Sequence, residues 1–156
     1  MAAPEGKIKS FSLYSIRMVR DRSISINDEV MESPERAYAV LRRYFHGLDR
    51  EHFVTALLDA RHHMIGLHPT SVGTLDMSVV HPRETFKAAI VANASGIILA
   101  HNHPSGDPSP SREDIELTRR LIGAGRLLGI PVHDHLIIGG SGYLSLNMHH
   151  AAECGF

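Results

Sequence analysis

The chain of 156 residues contains one cysteine and no tryptophan. The cysteine, Cys154, stands almost at the C-terminus, so an internal disulfide and a thiolate-rich metal site are both excluded. A composition without disulfides suits a reducing compartment, and a cytoplasmic protein is expected. The first residues lack a charged-then-apolar pattern, so no secretory leader is expected. Long hydrophobic runs are missing as well. The longest, such as Ala88–Ala92, cover five residues, against roughly 20 for a membrane-spanning helix, so no membrane partner is expected. Neither charge dominates: 16 Lys and Arg face 17 Asp and Glu, for a net charge of −1. A dedicated nucleic-acid-binding domain is usually basic, so nucleic acid is not the favoured partner.

Hydrophobic residues make up 43% and charged residues 21%. That supplies a core and excludes compositional disorder. The length fits one domain. Phe11–Arg20 alternates in part (Phe11, Leu13, Ile16, Met18) and predicts a strand in an N-terminal extension over residues 1–32. Exposed, it could pair across a dimer. The main domain is expected over 33–150. Ser33-Pro34-Glu35 reads as a helix start, with serine at the N-cap and proline at the first helical position. That helix runs to about Phe45, turns Ala37, Val40, Leu41 and Tyr44 inward, and ends at His46-Gly47.

Glu51–Ala60 and Met64–Val72 read as a strand pair around Arg61-His62-His63, and Met77–Val80 as another short strand. A second helix opens at His81-Pro82 with Phe86, Ala89 and Ile90 inward. Gly96–Ala100 has the continuous apolar pattern of a central strand. His101–Pro110 reads as a loop. A third helix starts at Ser111 and runs through Ile115, Leu121, Ile122 and Leu127 to Gly129. Val132–Ile138 and Tyr143–Asn147 form a closing hairpin. The order β-α-β-β-β-α-β-α-β-β predicts an α/β fold with a single mixed sheet flanked by helices.

The chemistry concentrates in Ile97–Asp114, which reads IILAHNHPSGDPSPSRED. His101 and His103 lie two apart beyond a buried strand, and on extended backbone such residues share a face. Asp114 falls in the first turn of the next helix and can face back toward them. Two imidazoles and a carboxylate make a three-ligand zinc site with one position open, the pattern of catalytic rather than structural zinc. A carboxylate that does not bind the metal must then move the proton. Glu51 is the candidate, because the start of one strand lies beside the end of an antiparallel neighbour. Glu84, the competitor, is better explained as a helix-start acid. Ser111 could donate a hydrogen bond to a carbonyl oxygen. Ser111 and Asp114 also satisfy a capping box, and the two roles are compatible.

Glu51, His101-x-His103-Pro104, Ser111 and Asp114 together resemble the JAMM motif of the JAB/MPN metallopeptidases. The longer string HPRETFKAAI…HNHPSGDPSPSREDIELT…DHLIIG resembles the RadC family in particular. The resemblance implies a zinc-dependent peptidase or isopeptidase with an architecture similar to cytidine deaminases. His101, His103 and Asp114 would be zinc ligands, Glu51 the general base and Ser111 the oxyanion helper. The substrate would be a peptide or protein. Longer RadC proteins carry a helix-hairpin-helix region. Residues 1–32 have room only for a strand and a loop, so a short form is expected. The family is traditionally linked to DNA repair.

A non-catalytic accessory module that binds nucleic acid or a repair protein, with structural zinc, is the alternative. Its sign would be salt-dependent DNA affinity. Deaminase chemistry needs a Pro-Cys-x-x-Cys pair, which one cysteine cannot supply. Asp134-His135 reads as a buried hydrogen-bonded pair in preference to a partner for a zinc ligand. Arg17-Arg20-Arg22, Arg42-Arg43 and Arg119-Arg120 read as solvated faces diluted by nearby acids. The remaining histidine pairs, His62-His63 and His149-His150, read as turn and surface residues.

Overall fold

Ser33 accepts a hydrogen bond from the Arg36 amide, and the proline that follows is already set for helix, so α1 begins at Pro34 and runs Pro34–Phe45. This is seen in a computed structural model that describes residues 12–25, 30–73 and 80–156. Ala37, Val40, Leu41 and Tyr44 are buried as the spacing predicts. The chain continues through β1 (His52–Leu58), β2 (Met64–Val72), α2 (Pro82–Val91), β3 (Gly96–Asn102), α3 (Arg112–Leu128), β4 (Val132–Ile138), β5 (Tyr143–Ser145) and α4 (Leu146–Cys154).

The strands form one sheet in the order β2-β1-β3-β4-β5. Only β3 and β4 run parallel; the other neighbours are antiparallel. The α/β class with a single mixed sheet is therefore correct. Every residue of β3 is buried because helices cover both faces. On one face Phe53, Leu57, Ile97, Leu99 and Ile137 pack with Phe86, Leu117 and Leu121 from α2 and α3. On the other, Val54, Ala56, Ile98, Ala100 and Leu136 pack under α1. The period of two thus sends alternate residues of β3 to different cores.

Several expectations need correction. Ser12–Arg20 forms no strand; it lies exposed without regular structure, and Phe11 falls outside the described residues. Its partial alternation has no neighbouring strand to take its backbone hydrogen bonds. Of Met77–Val80, residues 77–79 lie outside the described residues, and Val80 is a buried bend. Ile90 is 52% and Leu127 89% exposed. The inward stripe of α3 instead follows Asp114, Leu117, Thr118, Leu121, Ile122 and Gly125, and Leu127 falls outside that phase. The closing hairpin strand is shorter than expected. Ser145 ends β5 and caps α4 by accepting from the Met148 amide, so Tyr143–Asn147 is half strand and half helix start. Finally, β3 runs on to Asn102, which places His101 inside the sheet and not in the loop.

Candidate metal centre

The register of the sheet sets the position of His101. It pairs with Phe53 of β1 and Ile137 of β4, faces the α3 side, and stacks on the Phe53 ring at 5.9 Å between centroids. Its side chain is fully buried. His103 follows two residues later, and its amide donates to the Ile138 carbonyl, so the chain still tracks β4. The loop then returns over the β4–β5 turn. There the Gly140 amide donates to the Gly106 carbonyl, and a Cβ on Gly139 would lie 2.4 Å from the Gly106 oxygen. Only glycine lets the two backbones approach so closely. The loop delivers Ser111 to the N-cap of α3, and Asp114 to its first turn.

One ligand atom from each of His101, His103 and Asp114 lies within 4.8 Å of the others, the one such group among the described residues. His101 Nε2 is 3.0 Å from His103 Nε2 and 3.2 Å from Asp114 Oδ1, while His103 Nε2 is 3.6 Å from Asp114 Oδ2. Donors around a tetrahedral ion with bonds of ~2.0–2.1 Å stand ~3.3 Å apart. The His101–His103 and His101–Oδ1 separations lie close to that value, and one ligand atom from each residue falls within 4.8 Å of the others, so the three could hold a metal ion. The two neutral nitrogens and one carboxylate oxygen suit a first-row divalent ion.

Hydrogen bonds behind the ligands choose the nitrogen each one presents. His103 Nδ1 lies 2.8 Å from the Asp107 carbonyl, which can only accept, so Nδ1 carries the proton and Nε2 presents its lone pair. For His101 the chain is longer. Thr118 Oγ1 donates to the Asp114 carbonyl at 2.6 Å, which uses its single proton. His135 Nδ1, 2.6 Å from that hydroxyl, must therefore donate to it. His135 Nε2 is then an acceptor, and His101 Nδ1 donates to it at 2.8 Å. His101 Nε2 is left unprotonated toward Asp114 and His103.

Charge follows the same arrangement. Burial pushes the Asp114 carboxyl up, but the adjacent His101 and His103 imidazoles and the hydrogen bond from Ser111 outweigh it and hold the group far below the usual carboxylate range. The Asp114 carboxylate, a partner for the protonated ring, raises His103 against its burial, with help from the Asp107 carbonyl and the Glu51 charge. Burial, together with the nearby His101, holds His135 well below the ordinary imidazole value, so it stays neutral.

Glu51 directly precedes β1 and is half-buried. Extending the Phe53–His101 pairing by two residues sets it opposite His103, and its charge is felt there. Glu84 instead pairs with Lys87 at the head of α2, at 2.6 Å. Ser111 Oγ accepts from the Asp114 amide at 3.1 Å and donates to Asp114 Oδ2 at 2.7 Å, and the Ser111 amide donates to the same oxygen at 2.8 Å. The capping box engages Oδ2 of Asp114, while Oδ1 stays 3.2 Å from His101 Nε2.

The expected Asp134-His135 pair divides. His135 supports His101, whereas Asp134 points to the other face and accepts from Ser145 Oγ and the Asn147 amide. The reading of Asp134-His135 as only a buried pair is thus corrected for His135, which does orient His101, and Thr118 is a site residue that the sequence reading does not reach. The available signals were the alternation of β4, which puts His135 on the His101 face, and the i+4 position of Thr118 from Asp114.

The fold and site define an α/β domain with a buried His-x-His…Asp ligand set between a central strand and a helix N-terminus. Residues 31–151 match the family model described as RadC-like JAB domain, and the chain belongs to that family. It is similar to a UPF0758 protein of Desulfitobacterium hafniense, with 46% identity over 90% of this chain and 63% of the relative. A UPF0758 protein of Caldanaerobacter subterraneus is 52% identical over 73% of this chain and 49% of its own length. One from Rubrobacter xylanophilus is 47% identical over 88% of this chain. The chain thus spans about half to two thirds of the curated relatives it matches. No helix among the described residues is long and apolar enough to cross a membrane.

Proposed function

We propose that the chain is a zinc-dependent hydrolase of peptide or isopeptide bonds, acting in the cytoplasm on a peptide or protein. The observation that supports this reading is the convergence of His101, His103 and Asp114 in one cluster, with His101 and Asp114 buried and His103 half-buried, and with Glu51 beside it as an acid outside the ligand set. Three protein ligands leave a coordination position open. A zinc ion held there would bring the pKa of a bound water to about 7 and polarise a carbonyl.

The chain's own groups do the rest. Glu51 takes a proton from the attacking water as the new carbon–oxygen bond forms. It returns that proton to the amine nitrogen as the carbon–nitrogen bond breaks. Ser111 Oγ now donates to Asp114 Oδ2. In this role it turns its proton to the carbonyl oxygen, where negative charge develops, while the Ser111 amide keeps its bond to the carboxylate. His135 and Thr118 hold His101 in the tautomer that leaves Nε2 free. A link to DNA repair would lie in the choice of substrate protein.

Elemental analysis of protein purified without chelators is the first test. About one zinc per chain is expected, lost in His101→Ala/His103→Ala. Glu51→Gln should keep the metal and abolish turnover of any peptide the parent cleaves. Turnover at the parent rate in that variant removes Glu51 from the mechanism. Absence of metal, together with salt-dependent DNA affinity that Glu51→Gln leaves unchanged, would move the chain to the accessory-module reading.

A further inference from the structure

We propose that the cleft beside the metal centre binds a carboxylate-bearing segment of a polypeptide, with Arg42 and Arg43 reading its charge. The inference rests on the peptide-hydrolase reading above and names the substrate class of that site. The cleft encloses about 750 Å³ between the last turn of α1 and the Gly139-Gly140 turn, and His103 and Asn102 lie in its wall. A segment seated there meets the ligand cluster at His103, the one candidate ligand in the lining.

The charge of the lining is one-sided. Arg42 and Arg43 supply its charge, and among the described residues no aspartate or glutamate lines it. The chain as a whole carries −1, so this is a local excess of positive charge. Three other surface arginines stand beside acids, Arg36 by Glu32, Arg50 by Asp49 and Arg112 by Glu116, whereas Arg119 and Arg126 donate to backbone carbonyls, so it is the pairing of two arginines in one acid-free lining that marks the cleft. Arg42 is exposed and has no ion pair among the described residues. Arg43 donates to the Ser25 carbonyl at 2.8 Å, a neutral acceptor, and has no ion pair among the described residues. The helix dipole accounts for cations in the last turn of α1. It does not account for the absence of acids from the opposite wall.

Guanidinium groups recognise carboxylates by paired, charge-assisted hydrogen bonds. The cleft also offers an apolar surface, since Tyr38 in its wall is stacked on Tyr143 at 4.5 Å. A peptide with acidic side chains near the bond matches both features. A nucleic-acid strand fits less well, because its affinity comes from many consecutive phosphate contacts. Here two arginines sit in one cleft, while Arg20 and Arg22 line a different one between α1 and β2.

Fluorescence anisotropy on the full chain carrying Glu51→Gln tests this, with labelled oligoglutamate, oligoglutamine and oligothymidylate as probes. Oligoglutamate should bind more tightly than the other two. Arg42→Glu/Arg43→Glu should weaken it by about tenfold or more. Arg17→Glu/Arg20→Glu, an equal change in net charge, should leave it close to the parent. Binding should persist in chelator, which separates carboxylates held by arginine from carboxylates held by a metal. Circular dichroism establishes that each variant is folded, and Arg42→Gln/Arg43→Gln gives a milder second test. Equal binding of both peptides, equal loss in the two double variants, or loss in chelator would overturn the proposal. Tighter oligothymidylate binding that depends on Arg42 and Arg43 would overturn it in favour of nucleic acid. Failure of the hydrolase reading looks different: charge-selective binding with no cleavage by the parent. Cleavage of neutral and acidic peptides alike, unchanged in Arg42→Glu/Arg43→Glu, would instead remove the cleft assignment and leave the hydrolase.

Discussion

His135 Nε2 stands 2.8 Å from Nδ1 of His101, and that bond decides which His101 nitrogen is left for a metal ion. The proton count runs back through Thr118 to the Asp114 carbonyl. The carboxylate and the carbonyl of Asp114 therefore serve the same centre by two routes, one direct and one through three side chains.

His135→Ala should weaken metal binding by about 10- to 100-fold, the usual effect of removing a group that orients a ligand. It also leaves the buried His101 N–H without its acceptor, at a cost of about 1–3 kcal/mol. Competition with a chromogenic chelator, beside urea denaturation, measures both. Unchanged metal affinity in a folded variant would show that His135 does not set the His101 tautomer.

Asp134→Ala should behave differently although it is the neighbouring residue. Its carboxylate accepts from Ser145 Oγ at 2.7 Å, the His135 amide at 2.7 Å and the Asn147 amide at 3.1 Å, tying the start of α4 to β4. Losing buried partners of that kind costs about 1–3 kcal/mol. Denaturation should register it, while the same chelator competition should give a value close to the parent's.

Gly139→Ala should disturb the centre without touching a ligand. The added Cβ would meet the Gly106 carbonyl oxygen at 2.4 Å and Pro108 Cδ at 2.9 Å. Backbone must shift, and overpacking of this kind costs about 1–3 kcal/mol. The displaced segment carries His103, so metal affinity falls together with stability. Gly142→Ala, where a Cβ meets nothing within 4 Å, is the control.

Zinc should stabilise the folded chain by mass action. Free zinc at 100 times its Kd corresponds to about 2.7 kcal/mol. Thermal unfolding should move up with zinc and down with chelator. In His101→Ala/His103→Ala the two curves should coincide; a zinc shift that survives there would mean the ion binds elsewhere.

Asp59 supplies a pH dependence in the β1–β2 turn. Its Oδ1 accepts from the Arg61 and His63 amides at 2.8 and 2.9 Å, and so braces His62 in a left-handed conformation with φ 63°. The His63 amide bond chiefly holds its carboxyl below the ordinary 3.8. A lowered pKa in the folded state means stability that is present above 3.8 and lost as pH falls toward the lowered value. Acid titration of the melting temperature should therefore be shallower in Asp59→Ala. Parallel acid limbs in the two proteins would remove Asp59 from that dependence.

The candidate ligands could be read from local order. His101 and His103 share a face because extended backbone has a period of two, and Asp114 faces them because a capping serine fixes where α3 begins. Glu51 could be placed because an antiparallel neighbour brings a strand start beside a strand end. Elsewhere local order misled. The alternation in Ser12–Arg20 has no partner strand, and Tyr143–Asn147 carries apolar residues that suit strand or helix until Ser145 caps α4.

The sequence by itself determined the helix starts at Ser33 and Ser111 and the buried run of β3, because each depends on residues within about one or two turns of one another, and it singled out His101, His103 and Asp114 as candidate ligands because one short stretch carries them. Tertiary structure alone decided that His135, 34 positions from His101, accepts the hydrogen bond that orients it. It also decided that Arg42 and Arg43 face the wall formed by His103 and Gly139. Both depend on which strands pair and in what register, and that is set by burying two cores on opposite faces of one sheet.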